Sequence, residues 1–515
     1  MITSLGGEML ASVNSLAVLG VDAFAVYVEV DLAPGLPAFN TVGLPEGAVR
    51  ESKERVRAAL TNSGFSLPVN RITVNLAPAD VRKEGSGFDL PIALGILAAS
   101  GVIPAASLQK LVVVGELALD GGLRPVRGGL PMAVTASRLG FTQMILPKVN
   151  APEASVVEGV EVLGAENLLQ VVEHLLEREK LSPVASDPHL MAGVSSYDLD
   201  MQDVRGQEQA KRALTIAAAG GHNILMVGSP GSGKTMLAKR LSTILPPLSF
   251  EEAVEVTQVA SVAGTLEEDQ ALVNRRPFRA PHHTISYAGL VGGGSFPRPG
   301  EVSLAHHGVL FLDELPEFKK SVLEVMRQPL ESGEVVVTRA AASVCFPARF
   351  MLVAAMNPCP CGYYGDPSRA CTCSPGRVQE YRNRVSGPLL DRIDIQVEVP
   401  AVPFKDLNTK ACGPTSAEYT EQVVEARGIQ QKRLTAESVF CNAQMNTRLT
   451  RKHCRLTADG IKVLEMAMDR FKLSARAYGR ILKIARTIAD LAGAKDIGLS
   501  HVSEAISYRS LDRGL

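Results

Sequence analysis

The sequence predicts an α/β protein in three parts: an N-terminal α/β domain, a parallel-sheet α/β core and a C-terminal all-α block. Three observations predict it. Short β-branched runs alternate with two helical stretches up to about residue 176, and past about Thr415 the apolar periodicity is almost purely helical. Between these, an apolar strand runs directly into a glycine-rich turn that opens a helix. The 515 residues exceed what one hydrophobic core organises, so several domains are expected.

Within the first part, 1–177, the β-branched runs are 23–30, 72–76, 111–117 and 144–146, and the helical stretches are 48–63 and 89–100. A linker is expected at 178–203, where Ser182, Pro183, Ser186, Asp187 and Pro188 break the periodicity. The core spans 204–403 and the helical block 404–515. No fixed-period repeat is visible, which excludes a solenoid.

Composition narrows the functions. Fifty-three Lys and Arg against fifty-four Asp and Glu leave a net charge of −1, which excludes a uniformly basic nucleic-acid binder. Any DNA contact must come from local patches. No apolar run has the length of a membrane span, and the N-terminal residues lack the basic and apolar regions of a secretory signal, so a cytoplasmic location is expected. Trp is absent and aromatics make up 5%, which speaks against extended base-stacking platforms.

The chemistry starts at 224–235. The apolar strand Ile224-Leu225-Met226-Val227 enters Gly228-Ser229-Pro230-Gly231-Ser232-Gly233-Lys234-Thr235, and a helix is expected over 236–244. Glycines let successive N–H groups turn toward phosphate oxygens, Lys234 neutralises charge at the β- and γ-phosphates, and Thr235 offers a hydroxyl to Mg²⁺. A second apolar strand, 309–312, ends in Asp313-Glu314, which suits one acid for the Mg²⁺ shell and a neighbour that polarises the attacking water. A third, 349–356, ends in Asn357, an amide able to orient that water.

These motifs resemble an AAA+ ATPase of the magnesium-chelatase-like group. The resemblance implies ATP and Mg²⁺ as cofactors and places Asn357 at the sensor 1 position. It matches Leu389-Leu390-Asp391-Arg392-Ile393-Asp394 to the arginine-finger segment, and Ser474-Ala475-Arg476 to sensor 2, with Arg480 competing one turn later. Arg392 would then reach the γ-phosphate held by a neighbouring subunit, making activity depend on a ring.

In the first domain, 83–89 and Gly115-Glu116 with Gly128-Gly129-Leu130 resemble the Lon-protease-like, ribosomal-S5-like α/β fold. A peptidase of that kind needs a Ser activated by a Lys. Here the nucleophile position falls on Gly87, and Pro131-Met132-Ala133 replaces the lysine-bearing segment, so the domain is expected to be inactive. Ser86 and Lys83 are poor substitutes.

The order of Lon-like domain, linker, core and helical lid is similar to the ComM (YifB) family over essentially the whole chain, including the run 276–284 and the segment 300–308. The resemblance implies a homo-hexameric, ATP-dependent DNA helicase that promotes branch migration while transforming DNA is integrated, with recombination proteins as partners. The competing reading is the motor subunit of a magnesium-chelatase-like metal-insertion or protein-remodelling complex. The Lon-like domain and the cysteine cluster speak against it.

Two further groups invite a metal. His282-His283 and His306-His307 are adjacent pairs, whose rings point apart too often to share an ion, so structural roles are expected. Four of the eight cysteines, Cys359, Cys361, Cys371 and Cys373, form a C-x-C pair twice over. Four thiolates could close a tetrahedral Zn²⁺ site, although the one-residue gaps are tighter than usual, and free thiols or a redox pair remain the alternative. Tyr363, Tyr364, Arg369 and Arg377 make this a knuckle suited to phosphate contact. The other DNA contacts expected are Arg298, in the glycine-rich stretch 289–298, and Arg339, at the turn of an apolar strand pair.

Overall fold

The computed structural model describes residues 10–509 apart from 46, 82, 84, 186–197, 268–269, 295–296, 339–342, 368, 403–412, 436, 438 and 472. In the N-terminal part, a seven-stranded sheet has the order β3-β4-β2-β1-β5-β6-β7. Its strands are β1 (Leu10–Leu19), β2 (Asp22–Ala33), β3 (Ala38–Val42), β4 (Arg71–Ala77), β5 (Leu111–Val113), β6 (Gln143–Pro147) and β7 (Glu161–Ala165). Strand β1 has no counterpart in the sequence reading. Ser12, Asn14 and Ser15 interrupt its β-branched residues, and only pairing with β2 turns Ala11 and Val13 into the core. The expected run 111–117 divides into β5 and a two-residue ladder strand at Glu116–Leu117.

Helix α1 (Gly47–Asn62) and helix α2 (Asp89–Ala99) cover this sheet, and α2 is buried along its whole length. A Cβ on Gly95 would stand 2.5 Å from Val30 Cγ2, so that glycine lets the helix approach the strand. Pro183 and Val184, in the expected linker, lie along the sheet edge, where the Val184 N–H donates to the Val162 carbonyl. Residues 186–197 of that linker lie outside the described residues.

The core sheet is wholly parallel. Its strands β8 (Ile224–Val227), β9 (Phe278–Arg279), β10 (Val309–Leu312), β13 (Met351–Met356) and β14 (Ile395–Glu398) take the order β9-β10-β13-β8-β14, while β11 (Glu334–Thr338) and β12 (Ser343–Pro347) form a separate hairpin. Every residue of β8, β10 and β13 is buried, as a sheet covered on both faces requires. The third strand begins at Met351, two residues later than the run 349–356 predicts, and the Arg349 N–H donates to His306 Nδ1.

The C-terminal helices do not stand apart from the core. Helices α8 (Ser416–Leu434), α9 (Thr447–His453), α10 (Ala458–Phe471), α11 (Ala475–Leu491) and α12 (Leu499–Ser507) join one hydrophobic cluster with the core helix α5 (Glu208–Gly220). Earlier helices in chain order are α3 (Gly129–Arg138) and α4 (Leu168–Leu175), and the core also carries α6 (Lys234–Leu241), α7 (Phe250–Ala263) and several shorter helices. The run of alanines at 217–219 keeps α5 thin enough for Arg427 to reach the Ala218 and Ala219 carbonyls, at 2.7 and 3.0 Å. The N-terminal sheet meets the core at the β1–β2 turn, where Gly20 abuts Val344 of β12.

Candidate nucleotide site

The parallel register brings three strand ends together. Val227 pairs with Met356 and Leu312 with Ala354, so Gly228, Asp313 and Asn357 all emerge at the carboxyl edge of adjacent strands. That edge is where open α/β sheets bind ligands. The glycines are required by geometry: a Cβ on Gly228 would stand 2.1 Å from the Val399 carbonyl oxygen, and Gly231 and Gly233 have φ of +77° and +89°. Helix α6 begins at Lys234, two residues before the expected start, so its N-terminal N–H groups open onto the loop.

The side chains converge as well. Lys234 Nζ donates to the Gly228 carbonyl at 2.7 Å, the Ser229 carbonyl at 3.0 Å and Asn357 Oδ1 at 3.2 Å. Burial pushes the Lys234 ammonium down, with Asp313 and Glu314 pulling the other way. Thr235 Oγ1 donates to Asp313 Oδ2 at 2.7 Å, an all-oxygen pair of the kind a hard divalent cation prefers. Glu314 is held in the left-handed region, at φ +53°, an unusual conformation for a side chain of this size.

Several contacts were not legible beforehand. His283 Nδ1 lies 3.3 Å from Glu314 Oε2, which brings one of the paired histidines to the acid expected to polarise water. Gln207, also at positive φ, donates to the Ser232 carbonyl at 2.6 Å. Arg392 is folded back within its own chain, buried, bonded to Glu331 and donating to the Pro388 carbonyl at 2.5 Å. It lines an open cleft of about 460 Å³ with Tyr287, Arg327 and Gln328. Arg476 is mostly exposed and 3.7 Å from Asp391, whereas Arg480 Nη1 donates to Asp394 Oδ1 at 2.7 Å.

Paired histidines also meet at His306 and His307, whose Nε2 atoms both lie 2.8 Å from Glu255 Oε2. The Arg349 N–H donates to His306 Nδ1, so the proton of neutral His306 sits on Nε2 and no lone pair there faces a metal. The group is a hydrogen-bonded acid trap: burial pushes His306 down to about 4, and the two imidazoles hold Glu255 below the usual carboxylate range.

The four cysteines do converge. Cys359, which is buried, has its Sγ 3.4 Å from that of Cys361 and 3.7 Å from that of Cys371, and the last two are 3.6 Å apart. Cys373 completes a set within ligand distance. A tetrahedral zinc with Zn–S bonds of about 2.3 Å spaces its sulfurs by about 3.8 Å, so the donor set fits. Backbone N–H groups of Tyr363 and Thr372 bring the Cys361 thiol down to about 5, while burial and the neighbouring cysteines push Cys371 and Cys373 up, so without a cation the crowded set does not carry four thiolates.

The expected DNA contacts are scattered. Arg298 is exposed on a two-residue ladder with Gly293; Arg369 stacks 4.2 Å over Tyr363 and Arg377 is exposed, both beside the cysteines; and Arg339 lies outside the described residues. In the glycine-rich stretch, the short helix Tyr287–Val291 leads into Gly292–Gly293, which pair with Arg298–Pro299. In the N-terminal part, Ser86 donates to Glu116, and buried Lys83 Nζ has no hydrogen-bond partner among the described residues.

Three family models match in chain order: Subunit ChlI of Mg-chelatase over residues 28–150, Magnesium chelatase, subunit ChlI over 200–407, and its C-terminal region over 413–509. The competence protein ComM of Haemophilus influenzae is 49% identical, and YifB of Escherichia coli 45%, each match covering 98% of both chains. The chain belongs to the ComM/YifB family. It is a magnesium-chelatase-like AAA+ protein, with a mixed α/β fold and a C-terminal helical region. The magnesium-chelatase 38 kDa subunit of Rhodobacter capsulatus is 31% identical over only 30% of this chain and 48% of its own. The N-terminal match is to a model described as a chelatase subunit, so residues 28–150 do not by themselves speak against the chelatase-like reading, as the sequence suggests they do. No helix among the described residues is long and apolar enough to cross a membrane.

Proposed function

We propose that this protein is an ATP-driven DNA motor that works as a homo-hexameric ring and promotes branch migration of recombination intermediates, as in the integration of transforming DNA. The observation that carries the ATPase half is the convergence of Lys234, Thr235, Asp313 and Asn357 at one sheet edge. Full-length similarity to a competence protein supports the DNA half. Residues 228–235 cradle the phosphates, Lys234 neutralises their charge, and Glu314 polarises the lytic water with Asn357 orienting it. Thr235 and Asp313 would hold Mg²⁺, which when bound neutralises charge between the phosphates.

Arg392 and Arg476 act on the nucleotide as the ring assembles, which requires Arg392 to exchange Glu331 for a phosphate of the neighbouring subunit. Arg298, Arg339, Arg369 and Arg377 contact DNA through its backbone, so binding depends on salt and little on base sequence. Cys359, Cys361, Cys371 and Cys373 hold Zn²⁺. The second reading, a metal-insertion or protein-remodelling motor, is favoured by the three chelatase-named models.

The deciding experiment measures ATPase rate with and without a synthetic four-way junction, for wild type and Lys234→Ala, scoring junction dissociation in the same reaction. Stimulation and dissociation, both lost in the variant, are expected. ATP hydrolysis indifferent to every DNA tested would favour the remodelling motor.

A further inference from the structure

The cysteine knuckle forms one wall of the phosphate loop. Strand β13 ends at Met356, and Asn357, Pro358 and Cys359 follow in succession, so the first thiol stands two residues beyond the amide that meets Lys234. Gly362, at φ +86°, lies so near the loop that a Cβ there would be 2.5 Å from Pro230 Cδ. Four residues on, Asp366 Oδ2 accepts a hydrogen bond from Ser229 Oγ at 2.5 Å. On the opposite side, the Val399 carbonyl closes on Gly228. The first half of the phosphate loop, Gly228-Ser229-Pro230, is therefore gripped between strand β14's exit and the knuckle.

What holds the knuckle in that place is the thiol set. The nine residues between Cys361 and Cys371 include two glycines, a proline and no aliphatic residue larger than alanine, too little to pack a core of their own. Closing the base of such a loop removes most of its conformational freedom.

We propose that the tetrathiolate site, loaded with Zn²⁺, is a clasp on the nucleotide site. By closing the 362–370 loop it keeps Gly362 and Asp366 against Pro230 and Ser229, so that the phosphate loop is shaped before nucleotide arrives and loses affinity when the metal is removed. Asp366 is a positioning residue, acting through Ser229. The inference rests on 228–235 being the nucleotide site.

The test uses full-length protein, with zinc content by mass spectrometry and the affinity for a fluorescent ADP analogue, which needs no hydrolysis, by titration. Asp366→Ala should weaken binding about tenfold while retaining one zinc per chain; Asp366→Asn, whose amide oxygen still accepts from Ser229, should stay within about twofold of wild type. Chelating the zinc from wild type should reproduce the alanine loss, and adding zinc back should reverse it. Unchanged or tighter binding in Asp366→Ala, affinity indifferent to zinc removal, or purified protein without zinc would overturn the clasp. Wild type that fails to bind the analogue, as Lys234→Ala should, would instead refute the nucleotide-site reading.

Discussion

Arg476 and Arg480 stand one turn apart at the start of α11, and both fit a nucleotide-sensing arginine by sequence. Their surroundings differ. Arg480 reaches the buried Asp394 carboxylate, which also accepts from the Asn223 N–H at 3.3 Å and faces His222 Nδ1 at 3.3 Å. His222 in turn lies 2.8 Å from Thr487 Oγ1 on α11, so the network ties the helical block to the sheet. Although burial opposes its charge, His222 and Arg480 bring Asp394 down to about 2.

Replacing Arg480 with alanine leaves that carboxylate buried on weaker donors. Breaking a buried pair costs about 3–5 kcal/mol, and the remaining donors put this case at about 3 kcal/mol. For a unit of this size that is a fall in Tm of roughly 6–12 °C. Arg476→Ala, by contrast, removes an exposed contact at 3.7 Å and should change stability by less than about 0.5 kcal/mol. Its cost should fall on ATP hydrolysis, with kcat/KM lower by on the order of a hundredfold if it meets the nucleotide in the assembled ring. Thermal unfolding of both variants, read beside ATPase kinetics, separates the roles. A stable Arg480→Ala that has lost hydrolysis, with Arg476→Ala unaffected in both assays, would refute this assignment.

Two more outcomes follow from neighbouring contacts. His283→Ala should lower ATPase kcat about tenfold with nucleotide affinity unchanged, because the Glu314 carboxylate loses its partner; an unchanged kcat would make the contact incidental. Acid should destabilise the core through His306: it titrates near 4 when folded against an ordinary 6.5, so the unfolded chain takes the proton first and stability falls as pH drops from 6.5 to 4. That loss is on the order of 3 kcal/mol, with Glu255's contribution lost below it as the pH falls through the carboxylate range. Urea midpoints at pH 7.5 and 5 should differ less in His306→Gln than in wild type, and equal slopes would place the acid sensitivity elsewhere.

The glycine-rich turn at 228–235, the acid pair at Asp313-Glu314 and the Asn357 strand end could be placed from the sequence because each is a local pattern: an apolar run buried on both faces, then a residue type with few reasons to stand there. The same locality explains the hidden strand β1, whose Ser and Asn residues mask its period until β2 pairs with it. It explains too why the cysteines could be grouped but not located.

Sequence alone determined the classes of side chain available to this protein, and the parallel-sheet core that arrays them. Tertiary structure decided which of them meet. His283 reaches Glu314 from the turn that follows the neighbouring strand β9, Asp366 reaches Ser229 across 137 residues of chain, and Arg392 is latched by Glu331 instead of standing free. Such contacts depend on strand order and on how closely glycines let loops approach, properties that residue spacing does not encode because hydrogen bonds and ion pairs act over a few ångströms whatever the separation along the chain.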